Sequence, residues 1–300
     1  MRITLLGCGA LGGLVGARLA RSGNEIQILQ RPGSTLKRLR AQGLALDDTG
    51  TVRTWPVRAE ADPSQLEPAR LVLVTVKSYV TADVAPLLTD LLDDDGLVLT
   101  LQNGLGNAEQ LACIVGTERV AAASCTYGAY RDGEGMVHVG GEGEIRFGPM
   151  RPGKDWTVIE KLLNGSGLKA TFVYDPRPDL WSKLVANAAI NPVSALIRRE
   201  NGHILACAET SRLAKTLTME ACRVARAEGM PFGEGEMWPK VRLIIQGTSH
   251  NKSSMLQDIL AGRPTEIEAI SGEVLRRGRA FDLILPATAT VRALIRGLES

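Results

Sequence analysis

Residues 5–20 read LLGCGALGGLVGARLA, and three of their glycines, Gly7, Gly9 and Gly12, fall at the spacing G-x-G-x-x-G. The apolar run RITLLG before them reads as a buried strand and the stretch after them as a helix, so the glycines occupy a strand-turn-helix unit. In such a unit the first glycine permits the tight turn, the second lets the backbone approach a pyrophosphate, and the third lets helix and strand pack closely. The helix start presents N–H groups that have no partner inside the helix, at the positive end of its dipole. The turn formed by Gly7, Cys8, Gly9, Ala10, Leu11 and Gly12 is therefore expected to hold a dinucleotide. Small-residue turns also arise for packing alone; the flanking strand and helix favour the ligand here.

Further apolar, β-branched runs occur at EIQILQ, ARLVLVTVK and GLVLTLQNG, with helix-like stretches between several of them. That is the pattern of a doubly wound parallel sheet with helical crossovers. MVHVGGEGEIRFGP alternates around central glycines and predicts a hairpin that closes the sheet's edge. VYDPRPDLW places two prolines in three residues, which opposes both helix and strand and puts a domain boundary near Asp175. Beyond it strand signals stop, and helical patterns run through DLWSKLVANAAINPVSALI, SRLAKTLTMEACRVARAEG and TEIEAISGEVLRRGRAF. The expected fold is an α/β Rossmann-type dinucleotide-binding domain over residues 1–175, followed by an all-α domain over residues 176–300.

The 300 residues exceed the usual size of one hydrophobic core, and 44% hydrophobic with 23% charged residues is the balance of a globular protein. A net charge of +2 without long runs of one sign gives no reason to expect nucleic acid or an anionic membrane as partner. The five cysteines, Cys8, Cys113, Cys125, Cys207 and Cys222, form no C-x-x-C pair, so neither a disulfide framework nor a metal site is expected. Arg2 ahead of an apolar stretch superficially resembles an export signal, but Gly7, Gly9, Gly12 and Gly13 suit an apolar signal helix poorly and Arg18 and Arg21 follow closely. A cytoplasmic location without a membrane span is expected. An apolar helix face in the second domain is as open to homodimer formation as to packing within the chain.

The end of the second strand decides which dinucleotide. A carboxylate there would accept from the ribose hydroxyls of NAD, whereas an arginine can pair with the extra phosphate of NADP. EIQILQRPGS ends in Gln30 and Arg31 with no carboxylate until Asp47, which favours NADP(H) over the reading of Arg31 as a solvated surface residue. Lys77, at the end of LVLVTVK, and Asn103, in LQNGLGN, reach the same carboxyl edge of the sheet, where a strand-end lysine and a turn asparagine are the plain alternatives. In the second domain Lys183, Asn187 and Asn191 lie at i, i+4 and i+8, on one stripe of a helix. The stripe is either an exposed polar face or a hydrogen-bonding wall, and asparagine, a poor helix former, is an unusual choice for the former. Ser254 with Gln257 fits a helix-capping box, and Glu266 after Pro264 fits a first-turn carboxylate, so both have structural readings.

These segments together resemble the ketopantoate reductase (2-dehydropantoate 2-reductase) family over essentially the whole chain: ITLLGCGALGG, VTVKSY, LQNGLGN, LWSKLVANAAINP and, most specifically, NKSSMLQDI followed by TEIEAI. The resemblance implies NADPH-dependent reduction of a 2-oxo acid, ketopantoate, by hydride transfer to C2 in pantothenate and coenzyme A biosynthesis. It implies Lys183 as the catalytic lysine and general acid, Glu266 as the essential acidic residue, and Asn103 beside the nicotinamide and keto group. It further implies Asn187, Asn191, Asn201, Asn251 and Ser254 as substrate contacts, with Arg31 and Lys77 on the cofactor phosphate. Whether Glu266 tunes or orients Lys183 or binds substrate stays open. Reduction of another 2-oxo acid is the rival within the enzyme class, and a noncatalytic NADP(H) sensor, which would need the glycines and Arg31 but not Lys183, the rival outside it. Malate- or lactate-type chemistry would use a histidine acid, and none of His138, His203 and His250 occupies such a motif.

Overall fold

The opening strand β1 (Arg2–Leu6) leads through the glycine turn into α1 (Ala10–Arg21), and this pair anchors the larger of two sheets. The structure is a computed structural model that describes residues 1–48, 50–132, 135–233 and 235–300. It divides into two compact units, Met1–Gln102 with Asn107–Pro176, and Asn103–Gly106 with Arg177–Ser300. The short loop Asn103–Gly106 thus belongs with the helical unit although it leaves a strand of the other.

In the α/β unit, α1 is followed by β2 (Glu25–Leu29), α2 (Ser34–Gln42), β3 (Leu44–Asp48), β4 (Thr51–Trp55), β5 (Arg58–Glu60), β6 (Ala69–Val74), α3 (Thr81–Val84), α4 (Leu88–Leu91) and β7 (Leu92–Thr100). Then come α5 (Asn107–Val115), β8 (Val120–Cys125), β9 (Gly128–Arg131), β10 (Val137–Gly141), β11 (Ile145–Pro149), α6 (Thr157–Gly165) and β12 (Ala170–Phe172). The large sheet runs β12-β11-β8-β7-β6-β1-β2-β5. Parallel pairing of β1 with β2 on one side and β6 on the other means that the crossovers leave β1 in opposite directions. The point of divergence, at the carboxyl end of β1, is where a doubly wound sheet opens a crevice for a ligand. Ile3, Leu5, Val72, Leu73, Val98 and Leu99 are all fully buried, as expected of strands covered on both faces.

The hairpin expected over MVHVGGEGEIRFGP does not form. β10 pairs with β9 and β3 in a small sheet ordered β4-β3-β10-β9, while β11 pairs with β8 and β12 in the large one. The antiparallel neighbour of β10 in sequence is β9 instead, and the glycines let both strands' flanks cross from one sheet to the other. Gly128 and Gly140 pack backbone to backbone, a Cβ on Gly143 would collide with the Tyr127 amide, and the ladder slips between Val139 and Gly141. Strand β8, VAAASC, is buried throughout but has a single β-branched residue, so its small side chains hide it from a periodicity argument.

The helical unit consists of α7 (Arg177–Ile197), α8 (His203–Ala206), α9 (Ala208–Ala227), α10 (Met237–Gly247), α11 (Ser254–Leu260), a π-helical turn Glu268–Gly272, α12 (Glu273–Arg279) and α13 (Pro286–Leu298). Helix α7 is its axis, packed against α9, α10, α11 and α13. Its buried residues Trp181, Leu184, Val185, Ile190 and Val193 join one core, each large side chain stabilising the unit by roughly 1.5–3 kcal/mol. The buried carboxylate of Glu220 is satisfied by the start of α13, accepting from the amides of Ala287 (3.0 Å) and Thr288 (2.7 Å) and the Thr288 hydroxyl (2.6 Å). The pattern TEIEAISGEVLRRGRAF, expected as one helix, is interrupted by the π turn before α12 begins. Among the described residues no helix is long and apolar enough to cross a membrane.

Candidate functional site

The glycine turn has the geometry that its sequence predicts. Gly7 has φ +85°, and a Cβ there would stand 2.7 Å from the Val76 side chain. A Cβ on Gly12 would meet Thr75 and lie 2.7 Å from the Gly7 carbonyl, so this glycine lets α1 close onto the strand-end loop. Gly9 differs: it is the exposed N-cap of α1, a Cβ on it would touch nothing within 4 Å, and no side chain caps the helix. An open, uncapped helix start of this kind fits a pyrophosphate, for which the amides of Ala10, Leu11 and Gly12 are the natural donors. Cys8 is buried beside the turn, and burial pushes its thiol up to about 11, so it stays neutral at ordinary pH.

Two side chains that the motif does not name hold the turn. The Cys8 amide donates to Gln30 Oε1 at 2.8 Å, and Thr75 Oγ1 donates to the Gly7 carbonyl at 2.6 Å. Gln30, met in sequence only as the absence of an acid, therefore ties the end of β2 to the glycines. Arg31 follows it, exposed, just beyond β2, and Lys77 is half-buried just beyond β6, so both stand at the carboxyl edge of the sheet with the turn. The loop carrying Lys77 is braced from below: Gln102 Nε2 donates to the Val76 carbonyl (2.9 Å) and Thr81 Oγ1 (2.8 Å), and Thr81 Oγ1 donates to Asn107 Oδ1 (3.0 Å). All of these polar groups lie in the interior, where each must find a partner.

In the helical unit Lys183 and Asn187 are half-buried and Asn191 is 5% exposed along one stripe of α7. Burial thus deepens along the stripe from Lys183 and Asn187 to Asn191, which is not the profile of a uniformly solvated face. Ser194, one turn beyond Asn191, shares a 2.6 Å hydrogen bond with Ser253 Oγ, which draws the start of α11 and the adjoining Ser254 to this stripe. The capping role expected of Ser254 belongs to Ser253, whose Oγ accepts from the Leu256 amide at 3.1 Å; Gln257 Nε2 donates instead to the Lys252 carbonyl. Asn201 and Asn251 are also brought together: the Asn201 amide donates to the Asn251 carbonyl at 2.9 Å. The side chain of Asn201 donates to Thr248 Oγ1 at 3.0 Å, and its Oδ1 is buried without a hydrogen-bond partner.

Glu266 is 6% exposed and lies just ahead of the π turn rather than in the first turn of a regular helix. It accepts from Asn103 Nδ2 at 3.2 Å. Gly104 makes that contact attainable: with φ +84° it presses on the Ala269 backbone so closely that a Cβ would collide with the Ala269 carbonyl, which also accepts from the Leu105 amide at 3.1 Å. The N-G pair is thus both a turn and the device that seats Asn103 beside Glu266, a pairing invisible in sequence because the two residues are 163 positions apart. Gln30, Thr75, Gln102 and Ser253 are the supporting residues that sequence reasoning missed. Each lies next to a motif residue, but only the fold reveals its bond.

Residues 3–152 match the family model described as Ketopantoate reductase PanE/ApbA, and residues 175–299 match that of its C-terminal part. The chain belongs to the ketopantoate reductase family. It is 36% identical over 299 residues to a 2-dehydropantoate 2-reductase of Halobacterium salinarum, across 99% of this chain and 98% of that protein. A 2-dehydropantoate 2-reductase of Archaeoglobus fulgidus is 34% identical over 305 residues, across 100% and 98%. The crystal structure of a PanE/ApbA family ketopantoate reductase from Ralstonia eutropha superposes with a TM-score of 0.91 at 31% identity, across 100% and 98%. Ketopantoate reductases are oxidoreductases, and the Rossmann turn marks the α/β unit of this one as a site for NAD(P)(H).

Proposed function

We propose that this chain reduces 2-dehydropantoate to pantoate with NADPH, the reductive step toward pantothenate and coenzyme A. The observation that carries the reading is the grouping in the helical unit of a lysine, graded asparagines and a buried carboxylate-asparagine pair, on a chain whose other unit bears an open dinucleotide turn. NADPH, when bound, supplies the hydride for C2 of the oxo acid. The amides at the start of α1 hold its pyrophosphate, and Arg31 and Lys77 serve its remaining phosphate charge.

Lys183 carries the ammonium that stabilises negative charge developing on the substrate's carbonyl oxygen and donates the proton that makes it a hydroxyl. Half-burial of its side chain strengthens that interaction over the same contact in water. Asn187, Asn191 and Ser254 fix the hydroxyl and carboxylate of the substrate, and the unpartnered Oδ1 of Asn201 accepts from a substrate hydroxyl. Asn251 lies beside Asn201 on the rim. Glu266 holds the Asn103 amide in place, and Asn103 in turn faces the reacting carbonyl.

The test follows NADPH absorbance with ketopantoate, with other 2-oxo acids, and with Lys183→Ala. Oxidation specific to ketopantoate and lost in the variant supports the reading. Turnover of another oxo acid alone moves the substrate while keeping the chemistry. NADPH binding with no turnover of any acid identifies a cofactor sensor and removes the enzyme reading.

A further inference from the structure

The loop Asn103–Gly106 leaves the α/β unit at Gln102 and returns to it at Asn107. Its tip is held in the helical unit by Gly104 and the Leu105 amide against Ala269, and by the bond from Asn103 to Glu266. The two residues of its stem meet at one atom. Thr81 Oγ1 accepts from Gln102 Nε2 at 2.8 Å and donates to Asn107 Oδ1 at 3.0 Å, so a single hydroxyl spans the residues that flank the loop. Thr81 is fully buried at the start of α3, and Gln102 and Asn107 are 8% and 4% exposed.

Chemistry fixes the direction of each bond in this chain. The Val76 carbonyl can only accept, so the nitrogen of the Gln102 side-chain amide faces it at 2.9 Å, and the amide oxygen accepts from Thr100 Oγ1 at 2.9 Å. The second proton of that nitrogen goes to Thr81, whose one hydroxyl proton then goes to Asn107. Thr100 ends β7 and Val76 lies just beyond β6, so the chain ties two strand ends to the stem of the loop. A buried chain with one orientation for every member is stiff, because any slip leaves a donor or acceptor without its partner. The packing of α3 does not call for the hydroxyl, since valine has the same β-branched shape; the stem does.

We propose that Thr81 is a positioning residue for the reaction: by closing the stem through its hydroxyl it fixes the direction in which the chain leaves Gln102, and with it the place of the Asn103 side chain. Being fully buried, it does so without touching substrate or cofactor. The proposal rests on Asn103 facing the reacting carbonyl. The 3.2 Å bond from Asn103 to Glu266 is at the long end of the hydrogen-bond range and does not by itself hold the side chain against a moving stem. Misplacing a reacting group by about 1 Å costs up to about 10²-fold in rate, whereas the amides of the glycine turn, which hold the cofactor, are no part of this chain.

Steady-state kinetics with NADPH and the 2-oxo acid that the wild type reduces, together with NADPH titration, test it on Thr81→Val, Thr81→Ser, Asn103→Ala and the double variant Thr81→Val with Asn103→Ala. Thr81→Val is expected to lower kcat about tenfold with NADPH affinity within about twofold of the wild type, and Thr81→Ser, which keeps the hydroxyl, to retain the wild-type kcat. The double variant is expected to be no slower than Asn103→Ala alone, because Thr81 acts only through Asn103. Thr81→Ala, which differs from Thr81→Ser by the hydroxyl alone, carries the same expectation if the valine variant does not fold. A wild-type kcat without the hydroxyl, or an equal loss in the serine variant, overturns the role of Thr81. So does a double variant slowed by the product of the two single effects, which marks general structural damage. Undiminished turnover by Asn103→Ala overturns the role of Asn103 itself, and a wild type that reduces no 2-oxo acid removes both.

Discussion

Under the proposed function, the glycine turn of the α/β unit and the polar stripe of the helical unit bind by different means. In the first, the recognising groups are backbone amides, and side chains contribute mainly by being absent at Gly9 or by bracing from behind, as Gln30 and Thr75 do. In the second, the recognising groups are side chains, Lys183, Asn187, Asn191 and Ser254 with the Asn103–Glu266 pair, and the backbone matters at Gly104. A backbone site needs particular dihedrals over a few consecutive residues and so leaves a compact signature. A side-chain site needs residues from separate elements to converge, and its signature is scattered.

The largest effect that would sharpen this contrast is on catalysis without binding. Lys183→Ala is expected to lower kcat by about 10²–10⁴-fold while NADPH affinity, measured by titration, stays at the wild-type value. A parallel fall in NADPH affinity would break the division of labour. Gly104→Ala should come next, since the new methyl meets the Ala269 backbone at a positive φ that alanine resists; a loss of roughly 2–3 kcal/mol in denaturant unfolding, with turnover reduced through Asn103, is expected.

The turn itself supplies an internal control. Gly12→Ala places its methyl against Thr75 and the Gly7 carbonyl and should cost about 1–3 kcal/mol of stability along with cofactor binding. Gly9→Ala, with open space around it, should weaken NADPH while leaving the melting temperature unchanged. Equal destabilisation by both would mean that Gly9 serves packing and not a ligand.

The smallest expected effect belongs to the small sheet, remote in kind from both sites. His138 is hydrogen-bonded to Asp132 (2.9 Å) and Asp47 (3.0 Å), and these carboxylates, Asp132 foremost, raise its pKa against the opposing effect of burial. Its contribution is therefore fully present below the unfolded-state value of about 6.5 and is lost as pH rises through the raised folded-state value. Thermal melts between about pH 6 and pH 8 should show a decline, under about 1 kcal/mol, that His138→Gln lacks. A decline that persists in the variant would place the titrating group elsewhere.

Local sequence was enough for β1, the glycine turn, the buried parallel strands and the three-residue stripe of α7, because each depends on residues within one turn or one strand of each other. It was also enough to place Arg31, Lys77 and Asn103 just beyond strand ends. Tertiary structure decided what depends on partners distant along the chain. MVHVGGEGEIRFGP has the alternation of a hairpin, yet β8 and β9 were available to pair with its two halves in different sheets, and cross-strand partners outweighed the local glycines. Ser253, not Ser254, became the cap because Ser194 meets it from α7. Glu266 could be buried as a carboxylate because the loop of Gly104 delivers Asn103 to it. Hydrogen bonds and charge pairs act over a few ångströms of space regardless of separation along the chain, so their sites are settled only when the fold has chosen which distant residues become neighbours.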